Sequence, residues 1–324
     1  MRIKEKKIVF YILFILITTI IHAKPSNELT IYSIRGPSSI GMIRLFDNPP
    51  QSPDYKIKME TVAQADLLAA KFISGEAKIG ILTPNLAAKI ASSGIGIQIA
   101  AVTGTGMLSL LSADPSVQSF DDLKGREIDV AGQGSAPDYV FRKILLSRGI
   151  DPDKDVNLRF SLALPEIAQA LIAGRITLAV LPEPFSTMAR LGNSNIAVVD
   201  DIQEEWNNLT GGESAENYYP ITVLAVNSEF ASKNRQLINS ILESKKDSIE
   251  WVKAHPAEAG ELVEKQNLGL RAQIAREAIP GSNYVFITAL EARPSLENLF
   301  RVFLEFAPVS IGGVIPGDNF YFQP

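Results

Sequence analysis

The chain has 324 residues, of which 46% are hydrophobic and 21% charged, and its formal net charge is −5. These values are typical of a globular protein with one large or two medium domains, and they exclude a disordered or fibrous chain. The sequence contains no cysteine and only two histidines. A zinc or haem site of the usual His/Cys kind is therefore nearly excluded, and we expect no cofactor or metal.

The first 23 residues have the three-part layout of a secretory signal peptide. Four basic residues precede an apolar run from Ile8 to Ile21, and a small residue, Ala23, follows. The run spans about 21 Å as a helix, short of a hydrocarbon core of about 30 Å, which disfavours an uncleaved anchor helix. We expect cleavage after Ala23, which removes four basic residues and Glu5 and changes the net charge from −5 to −8. An acidic mature chain argues against nucleic acid and anionic membranes as partners.

From residue 27 onward, short β-branched runs alternate with helical stretches, which predicts an α/β fold with largely parallel sheets. Strands are predicted at 29–34, 78–82, 97–102, 127–131, 157–161, 177–181, 196–199 and 221–226. Helices are predicted at 39–46, 64–74, 86–92, 137–147, 165–173, 185–191, 235–254 and 256–265. After Ile221 the chain becomes mostly helical and ends in a tail punctuated by proline and glycine, 308–324.

The motifs of common enzymes are missing. His255 is the one histidine of the mature chain, and a nucleophilic triad needs a positioned base. The segment 132–136 resembles a nucleophile elbow but lacks the glycine after Ser135, and no phosphate-binding loop is present. The sequence therefore argues against an enzyme.

The centre of the chain contains a series of short motifs in a more specific order. The segment SFDDLKGREIDV at 119–130 is followed by Gly134-Ser135, a predicted helix, GIDP at 149–152 and LPEP at 181–184. Upstream lie Gly36-Pro37-Ser38 after the first strand and SGEAKIG at 74–80. This order resembles the substrate-binding proteins of the nitrate, sulfonate and taurine ABC importers, a group that includes receptors for thiamin pyrimidine and riboflavin-type ligands. The cysteine-rich motif of related pyrimidine-synthesising enzymes is absent, which weakens a catalytic interpretation.

The resemblance implies a periplasmic binding protein of type II, with two Rossmann-like lobes of mixed, mainly parallel sheets. Lobe one would comprise 24–106 and 222–324, lobe two 107–221, and the crossing strands would lie near 103–107 and 219–222. It also implies a monomeric periplasmic receptor that hands a small molecule to an ABC permease in the cytoplasmic membrane.

Ligands of open α/β sheets bind beyond the carboxyl ends of the strands. Three strand-to-helix junctions qualify, because free amides at a helix N-terminus suit an anionic or polar group. They contribute Gly36, Pro37, Ser38 and Ser39; Thr83, Pro84 and Asn85; and Gly134, Ser135 and Ala136. The alternative is that Ser39, Asn85 and Ser135 are ordinary helix caps.

Further ligand contacts are predicted around these junctions. Arg35 is not part of the general family pattern, and its guanidinium could bind a carboxylate, sulfonate or phosphate. The resemblance places Glu183 at the cleft, and Phe185 and Tyr219, like Tyr139 and Tyr218, could stack on an aromatic ligand or belong to the core. Thr103 and Gly104 in the first crossing strand complete the predicted set. An anionic and an aromatic ligand, and the rival classes of periplasmic enzyme and ligand-sensing module, stay open at this point.

Overall fold

The structure, a computed structural model, describes residues 27–212 and 217–324, so the predicted signal peptide lies outside the described residues. Within these ranges the chain forms two β-sheets, each flanked by helices, which confirms the α/β class. The strands are β1 Asn27–Ile34, β2 Tyr55–Val62, β3 Ile79–Leu82, β4 Ile97–Thr105, β5 Leu108–Ser112, β6 Glu127–Val130, β7 Asn157–Arg159, β8 Leu178–Pro182, β9 Ala197–Asp201, β10 Pro220–Asn227 and β11 Tyr284–Thr288.

The helices cover the faces of the sheets and fill the carboxyl-terminal third. They are α1 Pro37–Ile40, α2 Arg44–Asp47, α3 Ala65–Ile73, α4 Pro84–Ser92, α5 Ala136–Ser147, α6 Leu164–Ile172, α7 Phe185–Gly192, α8 Ile202–Thr210, α9 Ser228–Lys233, α10 Arg235–Ala254, α11 Pro256–Lys265, α12 Ala272–Ala278 and α13 Arg293–Phe306. Among the described residues, no helix combines the length and apolar character needed to cross a membrane.

The two sheets are built from different parts of the chain. The first has the order β11-β4-β10-β3-β1-β2, and the second has the order β7-β6-β8-β5-β9. Both are mixed, as predicted, but they are not mainly parallel, because among the described strands four pairings are parallel and five are antiparallel. The antiparallel pairings involve β5 and β10, the first strands after each crossing, and the edge strand β11. A strand that enters a sheet from the neighbouring sheet needs no helical crossover and so can run antiparallel.

All eight predicted strands overlap strands of the structure, and seven of the eight predicted helices are confirmed. The helix predicted at 39–46 is instead two single-turn helices, α1 and α2, separated at Gly41. A Cβ at Gly41 would lie 3.1 Å from the Tyr284 ring and 3.2 Å from Lys245 Nζ, so the chain packs closely there. The prediction missed the edge strands β2 and β11, the crossing strand β5, and four helices, α8, α9, α12 and α13.

The crossings between the sheets are tied together by main-chain hydrogen bonds. β4 leads through Gly106 and Met107 into β5, and Tyr219 precedes β10, which returns to the first sheet. Gly106 N–H donates to the Tyr219 carbonyl at 3.1 Å, and the Asn283 side chain donates to the Gly106 carbonyl. A Cβ at Gly104 would lie 2.7 Å from Thr222 Oγ1, which explains the glycine in this strand. The two crossings therefore lie side by side, next to the loop before β11.

Helices that flank the two sheets also contact each other on one side. Tyr139 on α5 packs edge-on against Phe303 on α13, with ring centroids 5.3 Å apart, and stacks on Phe306. Lys143 pairs with Glu305 at 2.8 Å between the same two helices. Beyond α13 the tail returns to the first sheet, where Phe322 N–H donates to the Ile99 carbonyl at 2.8 Å.

Candidate ligand-binding cleft

A cleft of about 680 Å³ opens between the two sheets. Its walls begin directly after the carboxyl ends of four strands, β1, β3, β6 and β8, which is where ligands bind in open α/β sheets. The volume lies within the range of about 300–1,000 Å³ that is usual for small-molecule sites. Seven of the predicted contacts line this cleft: Arg35, Pro37, Ser38, Thr83, Asn85, Gly134 and Ser135.

The floor of the cleft is apolar. It consists of lining residues that are themselves buried: Leu82, Met107, Leu108, Ala131, Pro182 and Thr222. The one polar member, Thr222, shares a hydrogen bond of 3.0 Å with Thr103 Oγ1, so its hydroxyl already has a protein partner. Apolar side chains therefore form the surface that a ligand meets at the bottom of the cleft.

At the first junction, the serine hydroxyls form hydrogen bonds within the protein. Ser38 and Ser39 hydroxyls both donate to the Ile34 carbonyl, at 2.6 and 2.7 Å, and Ser39 Oγ lies 2.8 Å from Ser33 Oγ. Ser39 is completely buried, and neither it nor Gly36 lines the cleft. Gly36 has a φ of 113°, a conformation that favours glycine, so its backbone geometry accounts for it. Arg35 is different, because its side chain is exposed at the cleft.

The second junction reaches across to the other sheet. Pro84 occupies the first turn of α4 and is buried outside the cleft lining. Asn85 Nδ2 donates to the Gly134 carbonyl at 3.4 Å, so this side chain bridges the two walls. Asn85 Oδ1 is buried and has no hydrogen-bond partner among the described residues.

At the third junction, the hydrogen-bond donors are already paired with acceptors from the same segment. Gly134 N–H donates to Asp138 Oδ2 at 2.9 Å, and both the amide and the hydroxyl of Ser135 donate to the Gly132 carbonyl. Ala136 is buried behind them. The helix N-terminus of α5 therefore has an internal carboxylate in the place that the sequence assigned to an anionic ligand.

The remaining predicted contacts do not line the cleft. Glu183 is buried, accepts a hydrogen bond from Thr187 N–H at 3.0 Å, and has its pKa raised by desolvation. Tyr219 is fully buried against Trp206, with ring centroids 5.7 Å apart. Phe185, Thr103 and Gly104 lie within the packed interior, and Tyr139 stacks on Phe306. Packing accounts for these residues, while their ligand contacts stay predictions.

Sequence reasoning missed several lining residues. Lys89 lies one turn after Asn85 on α4, so the helical spacing of four could have identified it. Asp66 occupies the first turn of α3, a helix that the sequence predicts without assigning it to the site. Ser310 comes from the carboxyl-terminal tail, and only tertiary structure brings it to the cleft.

In residues 27–212 and 217–324, no group of three or more acidic, histidine or cysteine side chains is arranged to hold a metal ion. A second groove, of about 580 Å³, lies between α4 and the tail, and its acidic residue Asp318 is paired with Arg293 at 2.7 Å. That groove touches the start of β4 and the end of β10 but none of the carboxyl ends of the parallel strands, so the cleft between the two sheets is the stronger candidate.

Comparisons with known proteins agree with this geometry. A model of the NMT1-like family matches residues 78–265, and no curated protein matches the chain. An ABC transporter protein from Parabacteroides distasonis superposes with a TM-score of 0.77 at 24% identity, covering 92% of this chain and 99% of its own. The periplasmic aliphatic sulphonate binding protein SsuA from Escherichia coli has a TM-score of 0.74 at 16% identity, covering 92% of each chain. The alkanesulfonate-binding protein SsuA from Xanthomonas axonopodis pv. citri, bound to MOPS, has a TM-score of 0.65 at 14% identity, covering 87% of this chain and 94% of its own.

Proposed function

The chain belongs to the NMT1-like family, and we propose that it is the extracytoplasmic solute-binding component of an ABC importer. The observation that carries this proposal is the cleft between two sheets, lined from the carboxyl ends of four strands and bordered by paired crossings. The solved relatives named as sulphonate-binding proteins support the same function. In this proposal two lobes close on a small molecule and present it to a permease. Lobe one comprises residues 24–106 and 222–324, and lobe two comprises residues 107–221.

The proposed function predicts that a solute stabilises the folded protein. A ligand at a hundred times its dissociation constant adds about 2.7 kcal/mol to the free energy of unfolding, which should appear as a saturable rise in Tm. A thermal-shift screen of residues 24–324 against organic anions, vitamins, amino acids and sugars checks this. Small-angle scattering with the ligand found should show a smaller radius of gyration, because hinge closure brings the lobes together. A hit with an unchanged radius at saturation would contradict closure.

Two other functions, a sensing module and an enzyme, can be distinguished from the importer by further observations. A sensing module would bind its solute in the same way but would pair with a receptor, so genes for a permease and an ATPase beside this one favour the importer. A periplasmic enzyme on this fold would convert the solute, which mass spectrometry of the incubated ligand would detect. The charged side chains of the cleft lining are Arg35, Asp66 and Lys89, and none of them is a histidine, the usual base of a nucleophilic triad.

Export is the second testable part of the proposal. The mature protein should begin at Lys24 and occur in the periplasmic fraction as a monomer, because the short apolar run ends at Ile21 and the small residue Ala23 follows it. N-terminal sequencing of the exported protein checks this. Ala23→Arg should block cleavage, since the peptidase needs a small residue, whereas Lys24→Arg should leave cleavage intact. An unprocessed Met1 in the membrane fraction would contradict the expectation.

A further inference from the structure

Two helices from different lobes pack against each other beside the cleft. α5 belongs to the stretch between the two crossings, and α13 belongs to the stretch after the second crossing. Tyr139 on α5 packs edge-on against Phe303, with ring centroids 5.3 Å apart, and stacks on Phe306 with centroids 5.7 Å apart and planes at 10°. Lys143 Nζ donates to both carboxylate oxygens of Glu305, at 3.0 and 2.8 Å. This contact therefore links the two lobes at a place other than the crossings.

The same two helices border the cleft. The start of α5 lines it with Gly134, Ser135 and Pro137, and Ser310, shortly after the end of α13, lines it as well. The Tyr139 hydroxyl lies 4.0 Å from the place that a Cβ would take at Gly134, so the ring lies directly behind this wall. A motion that carries the start of α5 away from Ser310 therefore also separates Tyr139 from α13.

The contact is small enough to be released. Tyr139 and Phe306 are only half-buried, and the Glu305 carboxylate is exposed. Two aromatic pairs favour the packed state by roughly tenfold to hundredfold, and an exposed ion pair adds up to about fivefold. The hydrogen bond from Asn85 to Gly134 crosses the cleft near the same helix start, but at 3.4 Å it is weak. The separated state is therefore a minor population that a substitution can raise to a measurable level.

We propose that Tyr139, Phe303 and Phe306, together with the ion pair Lys143–Glu305, form an interlobe clasp that holds this side of the cleft closed and sets the fraction of molecules in which the cleft is open. A solute enters and leaves while the clasp is released, and it is enclosed when Tyr139 returns to α13. This inference rests on the proposed solute-binding function and names a contact that regulates access to the same cleft.

Distances between spin labels on the solute-free protein, residues 24–324, test the clasp. The chain contains no cysteine, so two introduced cysteines are the only labelling sites. Ala70→Cys on α3 and Gln169→Cys on α6 place the labels at exposed positions of helices whose first turns line the cleft from opposite lobes. The labelled parent should show mainly one distance. Tyr139→Ala should raise the ratio of longer to shorter distances by roughly tenfold or more, because both aromatic contacts are lost.

Three further variants of the labelled protein separate the clasp from a general loss of stability. Phe306→Ala removes the stacked ring from the α13 side and should reproduce the shift, including when Tyr139→Ala fails to fold. Tyr139→Phe should behave like the parent, because the Tyr139 hydroxyl makes no hydrogen bond in the part of the chain that the structure describes. Tyr55→Ala is the matched control, since Tyr55 is also half-buried and packs edge-on against Phe230, at 5.8 Å, but within lobe one.

The distance distributions decide the inference. A longer-distance population in Tyr139→Ala and Phe306→Ala, without one in Tyr139→Phe and Tyr55→Ala, supports the clasp. Equal distributions in the parent and in both clasp variants overturn it, and so does an equal shift in Tyr55→Ala. Because no solute is needed, such a failure leaves the solute-binding function intact, and that function fails separately if no solute stabilises the protein in the thermal-shift screen.

Discussion

Replacing Lys245 by methionine should stabilise the protein by about 2–4 kcal/mol at pH 7. Lys245 lies on the buried face of α10, and desolvation lowers its pKa from 10.5 to about 7. Its Nζ lies close to Gly41 and forms no hydrogen bond or ion pair within the described residues. A shift of one pKa unit corresponds to about 1.4 kcal/mol, and methionine fills a similar volume without a charge. Urea unfolding of the two proteins at the same pH measures the difference.

The same substitution should remove a dependence of stability on pH. Because the unfolded state holds the lysine proton up to about pH 10 and the folded state releases it near pH 7, the unfolded state binds more protons in between. The parent protein should therefore gain about 2–3 kcal/mol between pH 7 and pH 9.5, and the gain should be absent in Lys245→Met. Asp200, whose pKa burial raises to about 6, titrates mainly below this window.

The control is the neighbouring lysine. Lys246 is exposed on the same helix, so Lys246→Met should change the free energy of unfolding by less than about 0.5 kcal/mol and keep the pH dependence. If Lys245→Met destabilises the protein, or keeps the gain at high pH, the buried ammonium group is solvated by internal water and the argument from desolvation is wrong.

Gly260→Ala should destabilise the protein by about 2–3 kcal/mol. Gly260 lies on α11 where it contacts α12, and a Cβ there would lie 2.4 Å from the Ala272 carbonyl oxygen and 3.2 Å from the Arg276 nitrogen. Both atoms belong to the backbone, so the two helices would have to move apart, and overpacking of this kind usually costs about 1–3 kcal/mol. Equilibrium unfolding in guanidinium chloride measures the loss.

Gly317→Ala provides the comparison for this substitution. A Cβ at Gly317 would meet no atom within 4 Å, and its φ of −79° is accessible to alanine. Its free energy of unfolding should therefore stay within about 0.5 kcal/mol of the parent value. Equal losses in both variants would show that the helix contact at Gly260 is more adaptable than its distances indicate.

The order of strands and helices was readable from the sequence because local patterns decide it. Apolar runs such as 79–82 are bounded by turns, and α10 and α11 begin and end where their predicted signals lie. Strands β2 and β11 were missed for a reason that is also local. In β2, Lys56, Lys58 and Glu60 alternate with less polar residues, as expected of a half-exposed edge strand, but the prediction relied on β-branched runs and so did not include this segment.

The sequence also identified the three junctions that surround the cleft, since glycine, serine and asparagine after a strand mark a helix start wherever the strand lies. It could not determine which hydroxyls are available, because Ser39 and Ser135 bond to backbone carbonyls whose positions depend on the folded loop. It placed Glu183 and Tyr219 at the site, whereas burial against neighbours from other segments encloses them.

The tertiary structure alone decided the polarity of the cleft. Its floor combines Leu82, Met107 and Pro182, which are distant in sequence and meet only because two strands cross between the sheets. Its rim combines Arg35 with Lys89 from another helix and Ser310 from the tail. Local patterns determine elements, because helix and strand periodicity are properties of neighbouring residues. The composition of a cavity depends on contacts between remote segments, and these are set by the packing of the whole chain.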